Sequence, residues 1–347
     1  MSTDRKEITS YEFASNIESI ASSLVNCFGL RHKKEIPNLS DSLFRWIDFR
    51  LRYIAPKPRS VYLSKKLNRL LPSRIDACFR LLIHMFQKGY DVNPYQGKGL
   101  ILHHDTSGKS RQNRTDLLWA DWGIFHFHLT NKPIPRGRYF SDPSDWLLFS
   151  MVSDEFIACI DIRSHKENNL FSNPDLIRIA VDSWPELMDR FKMRGICGTE
   201  AILTSEEHRV LRKNGLMAPI TIGEDVYMGP GMGISSASTS TRVTMCMDNI
   251  ISSSRDLAAL VWDPEGQFQH DARESACNDP KFTLCVIPQG LAVYEPTIDK
   301  AWVLPRREVQ TESNYLAELH DMLVPEWALK QMLVVPGEDI KKLKLSK

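Results

Sequence analysis

The sequence predicts an α+β protein in two domains, and three observations carry that expectation. Segments with apolar residues at helical spacing alternate with segments of strict period two. Clusters of proline, glycine and hydroxyl residues separate them. The chain runs to 347 residues, more than one hydrophobic core usually supports.

From Ser10 to Gly29, Phe13, Ile17, Ile20, Leu24 and Phe28 recur at helical spacing and predict an amphipathic opening helix. A second helix, "LSDSLFRWIDFRLRYI", is expected to start at a Ser40 cap and to end before Pro56 and Pro58. Its Arg45, Arg50 and Arg52 read as a solvated face. "LPSRIDACFRLLIHMFQKG" predicts a helix with Ile75, Phe79, Leu82, Ile83 and Phe86 inward and Gly89 as its stop. "LILHH", residues 100–104, reads as a short strand, and "DTSGKSRQNRTD" as a polar loop. A strand over 123–129 follows, then a hairpin over 147–165 that turns at Ser153, Asp154 and Glu155.

Past His165 a helix beginning near Asn173 breaks at Trp184 and Pro185. Another has Thr204 as cap, Glu207 at the capping-box position and Gly215 as stop. A hairpin, a glycine and hydroxyl loop at 228–241 and a helix come next. That loop, "MGPGMGISSASTST", lacks the ending of a P-loop and the dinucleotide fingerprint, so it reads as a flexible exit. Met228, Met232, Met245 and Met247 read as core filler. "DPEGQFQHDARESACNDP" reads as a loop, "KFTLCVIPQGLAVYEP" as a pair of strands, "NYLAELHDMLVPEWALKQML" as a late helix and "KKLKLSK" as a frayed tail. The expected organisation is a helical lead-in over 1–58, a sheet domain over 59–185 and a smaller α+β domain over 195–347.

Composition limits function. The 44 basic residues nearly cancel the 43 acidic ones, which excludes a polyelectrolyte surface while leaving room for a local basic patch. No long apolar run occurs, and "MSTDRKEITSYEF" has no apolar signal core, so a soluble, cytoplasmic protein is expected. The seven cysteines form no CxxC pair and read as reduced, mostly buried thiols.

The chemistry centres on "WADWGIFHFHLT", residues 119–130. Period two places Ile124, His126 and His128 on one side of an extended chain, with Phe125, Phe127 and Leu129 on the other. In the hairpin's second strand, Asp161, Arg163 and His165 share a side with Ile157 and Cys159. Histidines move protons near neutral pH. Arg163, with Lys109, Arg111 and Arg114 of the basic loop, would hold a phosphodiester and its developing charge. A His-x-His pair on a strand also has the spacing of two metal ligands, completed by His165, Asp161, His103 or His104.

The stretches "LPSRIDACFRLLIHMFQKGYDVNP", "DLLWADWGIFHFHL" and "LLFSMVSDEFIACIDIRSH" resemble the helix, second strand and closing hairpin of the RelE/ParE-type toxin superfamily. The likeness covers the central third of the chain, through element order and hydrophobic pattern. It implies helices packed on an antiparallel sheet that bears a ribonuclease site, and an antitoxin as protein partner. Asp121-Trp122-Gly123-Ile124, followed by His126, His128 and Leu129, also resembles an uncharacterised group of bacterial proteins. The leading expectation is a metal-independent endoribonuclease of toxin or phage-defence type, without cofactor. His126, His128, Arg163 and His165 would be catalytic, and Lys109, Arg111 and Arg114 would bind RNA. A non-catalytic module binding protein or nucleic acid, and a metal-dependent hydrolase using the strand histidines, are the alternatives.

Overall fold

A computed structural model describes residues 2–198, 202–307 and 314–334. The tail "KKLKLSK" lies outside them. In chain order the elements are α1 (Ser2–Cys27), α2 (Ser42–Arg52), β1 (Ser60–Leu63), α3 (Ser73–Lys88), α4 (Leu117–Trp122), β2 (Ile124–His128), β3 (Trp146–Val152) and β4 (Phe156–Ser164). There follow α5 (Asp175–Ser183), α6 (Pro185–Met188), α7 (Ser205–Lys213), β5 (Ile220–Ile222), β6 (Asp225–Tyr227), α8 (Thr241–Leu260) and α9 (Gln267–Glu274). The strands β7 (Thr283–Ile287), β8 (Gly290–Glu295) and β9 (Lys300–Val303), then α10 (Tyr315–Leu323) and α11 (Glu326–Leu333), complete a mixed α+β chain. No described helix is long and apolar enough to cross a membrane.

The chain divides into two compact units that cut across the expected boundaries. One comprises the described residues of Met1–Ile47 and Val243–Ile340, the other Asp48–Arg242. In the first, Asn16 of α1 accepts the Leu284 amide of β7 at 2.7 Å, and Trp46 donates its indole N–H to the Leu323 carbonyl at 2.9 Å. The lead-in thus pairs with late segments that no local pattern could link to it. In the second, Ile220 and Tyr227 of the β5–β6 hairpin join the core built on β2, β3, β4 and α5, so the sheet unit continues well past residue 185.

The central sheet has the order β1-β4-β3-β2. β2 pairs antiparallel with β3, and β3 with β4, so the histidine strand and the hairpin share a sheet as expected. β1 was not anticipated as a strand, and it pairs parallel with β4, making the sheet mixed instead of wholly antiparallel. Helices cover both faces. Phe86 of α3 meets Phe127 edge-on at 5.5 Å on one side, while Leu176, Ile177 and Ala180 of α5 pack with Ile124, Leu147 and Phe149 on the other. Double coverage explains why neighbours in β2 such as Ile124 and Phe125 are both buried.

Several local expectations are corrected. Residues 100–104 form no strand: Leu100 ends a short 3-10 helix over Lys98–Leu100, and turns follow it. The α2 amides of Ser42 and Leu43 are capped by the Glu18 carboxylate of α1, not by Ser40. Arg45 and Arg52 are buried, not solvated. Ile83 is only half-buried. The segment 267–274 is helical, and the late helix is two helices because Pro325 interrupts the hydrogen-bond ladder. Met228, Met232 and Met245 are exposed. Of the cysteines, Cys78, Cys159 and Cys277 are buried, whereas Cys197 is exposed. The capping box of Thr204 and Glu207 forms as expected.

The 228–241 loop is not a loose exit. Its Gly231 and Gly233 amides donate to the Asp121 and Ala120 carbonyls of α4 at 3.0 and 2.9 Å. A Cβ at Gly231 would stand 2.3 Å from the Trp119 carbonyl oxygen, and one at Gly229 would stand 2.2 Å from that of Asp121. These glycines let two backbones touch. Gly231→Ala should therefore lower stability by about 1–3 kcal/mol, seen as a lower urea midpoint at unchanged slope. An unchanged midpoint would mean that the contact is slack.

Candidate active site

A cavity of about 410 Å³ lies in the sheet unit and is lined by His103, His104, Asp116, His126, His128 and Phe171, among others. Its basic lining residues are Lys98, Arg209, Arg212 and Lys213, and Asp116 is the sole carboxylate among the described lining residues. Arg209 is paired with Glu206 and Arg212 with Asp121, so the cationic balance of the lining rests on Lys98 and Lys213 against Asp116, in a chain whose net charge is only +1.

Asp116 comes to the cavity as the N-cap of α4. One carboxylate oxygen accepts the amides of Leu118 and Trp119 at 3.0 and 3.1 Å. The other stands 3.6 Å from His126 Nδ1. α4 ends at Gly123 and the chain turns directly into β2, which brings His126 back beside the cap. Burial opposes the Asp116 charge, but His126, His104, the Trp119 amide and Arg52 together hold its pKa below the ordinary carboxylate value. Burial lowers the His126 pKa; Asp116 resists that shift and His165 reinforces it. His126 Nδ1 is buried without a hydrogen-bond partner, so the carboxylate is its natural proton acceptor. The neutral ring then carries its proton on Nδ1 and leaves a lone pair on Nε2.

The other two rings have the opposite arrangement. The Ser144 amide donates to His128 Nδ1 at 3.1 Å. Arg52 Nη1 lies 2.8 Å from His104 Nδ1, and because a guanidinium only donates, that nitrogen must accept. In both rings Nδ1 is therefore the acceptor and the proton sits on Nε2. Arg52 is itself held by buried Asp48, which also accepts the Thr115 hydroxyl at 2.7 Å. The His128 pKa is pushed down to about 4 by burial and by His126 and His165, so near neutral pH the ring is an N–H donor.

The remaining expected site residues fare differently. His165 is exposed and stacks on His128 with ring centroids 6.3 Å apart, at the edge of the cavity and outside its lining. Arg163 is not gathered in: it is buried, and its Nε and Nη1 bind Asp161 and Glu167 at 2.9 and 2.8 Å. Asp161 also holds Lys66 and Arg69, each at 3.1 Å. A β-bulge explains the altered side-chain pattern. β3–β4 pairing jumps from Phe149 with Asp161 to Ser150 with Cys159, leaving Ile160 as the extra residue. Ala158 and Ile160, not Ile157 and Cys159, therefore join Phe149 in its core.

The basic loop is a clamp. Buried Arg114 donates to the carbonyls of Gly108 and Ala237 at 2.8 and 2.6 Å, and Arg111 to Ser236 and Ser238. These arginines tie two loops together, while Lys109 stays exposed on the surface. For metal, the described residues that converge closely enough are His270, Asp271 and Glu274, far along the sequence from the strand histidines. The His128 tautomer also leaves no lone pair free on either ring nitrogen. Sequence reasoning missed Asp116 as the partner of His126 and missed Lys98, Arg209 and Lys213. The cap position of Asp116, just before the helix that leads into β2, was the available signal.

His128 and buried His208 should make the unit acid-labile. Both have pKa values lowered to about 4 from 6.5, in each case by burial first. Between those values the unfolded chain binds a proton that the folded chain refuses, so stability is lost as pH falls from 6.5 to about 4. Each group contributes up to about 3 kcal/mol. Urea midpoints across that range check this, and His208→Phe should flatten the slope.

No family model, curated protein or solved structure matches the chain.

Proposed function

We propose that this cavity cleaves RNA by acid–base catalysis with the protein's own side chains. The observation that carries the reading is the His126 ring, backed on Nδ1 by an ionised carboxylate and left with a free Nε2 in a cationic cavity. His126 Nε2 takes the proton of a ribose 2′-hydroxyl, and that oxygen attacks the adjacent phosphorus. The bond from phosphorus to the 5′-oxygen breaks, and His165, as imidazolium, gives a proton to the departing oxygen. Water later restores the two protonation states. Arg163, Arg111 and Arg114 serve the fold in this reading, because Arg163 is buried with Nε and Nη1 held by Asp161 and Glu167, and the other two donate to backbone and hydroxyl groups of neighbouring loops.

The test is incubation of the purified protein with total RNA and with a DNA oligonucleotide of matched sequence, in excess chelator. Cleavage of RNA alone, leaving 2′,3′-cyclic ends, is the expected result. Intact RNA, or DNA cut equally well, would overturn it.

A further inference from the structure

The geometry points to a phosphate-type oxyanion site in the same cavity, cradled by Gly97, Lys98 and Gly99 and gripped by the Nε2–H groups of His104 and His128. This rests on the reading of the cavity as a phosphodiester site, but it makes a separate claim about binding. Gly97 has φ +86°, and a Cβ there would stand 3.3 Å from His128 Nε2. A Cβ at Gly99 would stand 2.8 Å from His104 Cε1, 3.2 Å from its Nδ1 and 3.4 Å from its Nε2. A side chain at Gly97 would crowd the donor edge of His128, and one at Gly99 would press on the Cε1 corner of His104 between its two nitrogens. Lys98, between the glycines, is exposed and lines the cavity.

Two separate elements set the direction of the donors. Ser144 fixes His128 and Arg52 fixes His104, each by occupying Nδ1. Neutral imidazoles held this way donate without needing to be protonated. They share the cavity with Lys98 on the cradle, Lys213 on α7, Arg209 of the same helix, which is paired with Glu206, and the opposing charge of Asp116, which is itself directed at His126. A tetrahedral oxyanion can take one hydrogen bond from each ring while an ammonium balances its charge. Arg52 is then a positioning residue: it sets the His104 tautomer and needs no contact with the ligand.

Inorganic phosphate is the probe, titrated by calorimetry at pH 7 and followed by ¹⁵N spectra of histidine-labelled full-length protein. Saturable binding is expected, with His104 and His128 protonated on Nε2. His104→Leu and His128→Leu should each weaken it by about tenfold or more. His104→Gln, whose amide nitrogen can stand near the position of Nε2, should retain more binding than His104→Leu. Arg52→Met should weaken phosphate and shift His104 towards the Nδ1–H tautomer, a change that loss of packing alone would not give. Melting curves verify that each variant is folded.

Phosphate that fails to saturate at millimolar concentration, equal binding by both leucine variants and the wild type, or Nδ1–H rings in the wild type would each overturn the site. Phosphate binding with these losses but intact RNA would uphold it and remove the cleavage reading. RNA cleavage without phosphate binding would do the reverse.

Discussion

His126→Ala is expected to lower RNA cleavage by about 10²–10⁴-fold, the usual contribution of a general base. The fold should survive, because His126 is partly exposed and its Nδ1 makes no hydrogen bond that the backbone needs. Cleavage of total RNA in excess chelator, with melting curves alongside, measures both quantities. Asp116→Asn separates a base from a bystander. The carboxylate raises the affinity of His126 for its proton. Removing the charge should therefore move the acid limb of the pH–rate profile to lower pH as the plateau falls. A plateau lost with no movement of that limb would leave Asp116 as a helix cap only. Wild type and His126→Ala cutting at equal rates would remove the histidine from the chemistry.

The second large effect concerns stability. Arg212→Met should cost about 3–5 kcal/mol, because it leaves Asp121 buried without its counter-charge. Arg212 Nε and Nη2 lie 2.9 and 2.8 Å from one Asp121 oxygen, and the guanidinium sits 4.3 Å over the Trp122 ring. Its Nη1 also donates to the Phe171 carbonyl and the Ser172 hydroxyl, beside the cavity wall. Burial raises the Asp121 pKa despite this partner, so the pair does more to specify the packing than to add net stability. Asp121→Asn combined with Arg212→Met should then recover much of the loss, as a neutral pair no longer buries a charge. Urea titration of both variants decides this. A single variant as stable as wild type would show that the pair carries no structural weight.

Local physics made part of this fold legible. Thr204 and Glu207 announce a capping box, Gly89 ends α3, and Ser153 to Glu155 reverse the hairpin, since each depends on residues a few positions apart. β1 was hidden for the opposite reason: its four residues gain their place only by pairing with β4, far along the chain. α9 was hidden by polar composition, though Trp302 and Lys300 of β9 hold its Asp271 at 2.7 Å.

The site divides in the same way. Sequence by itself determined that His126 and His128 share one side of a strand and that the chain reverses as a hairpin between Trp146 and Ser164, because a two-residue period and a short turn are local properties. Only the tertiary structure decided what those rings can do. Proton positions follow from Asp116, Ser144 and Arg52, which reach the histidines from different elements. The availability of each arginine likewise depends on which distant carbonyl or carboxylate it meets. Arg163, Arg111 and Arg114 find such partners within the fold and Arg209 pairs with Glu206 of its own helix, while Lys98 and Lys213 line the cavity. Charge and residue type are properties of the chain, but hydrogen-bond partners and burial are properties of the packed molecule, and these set the pKa, tautomer and reach of every group in the site.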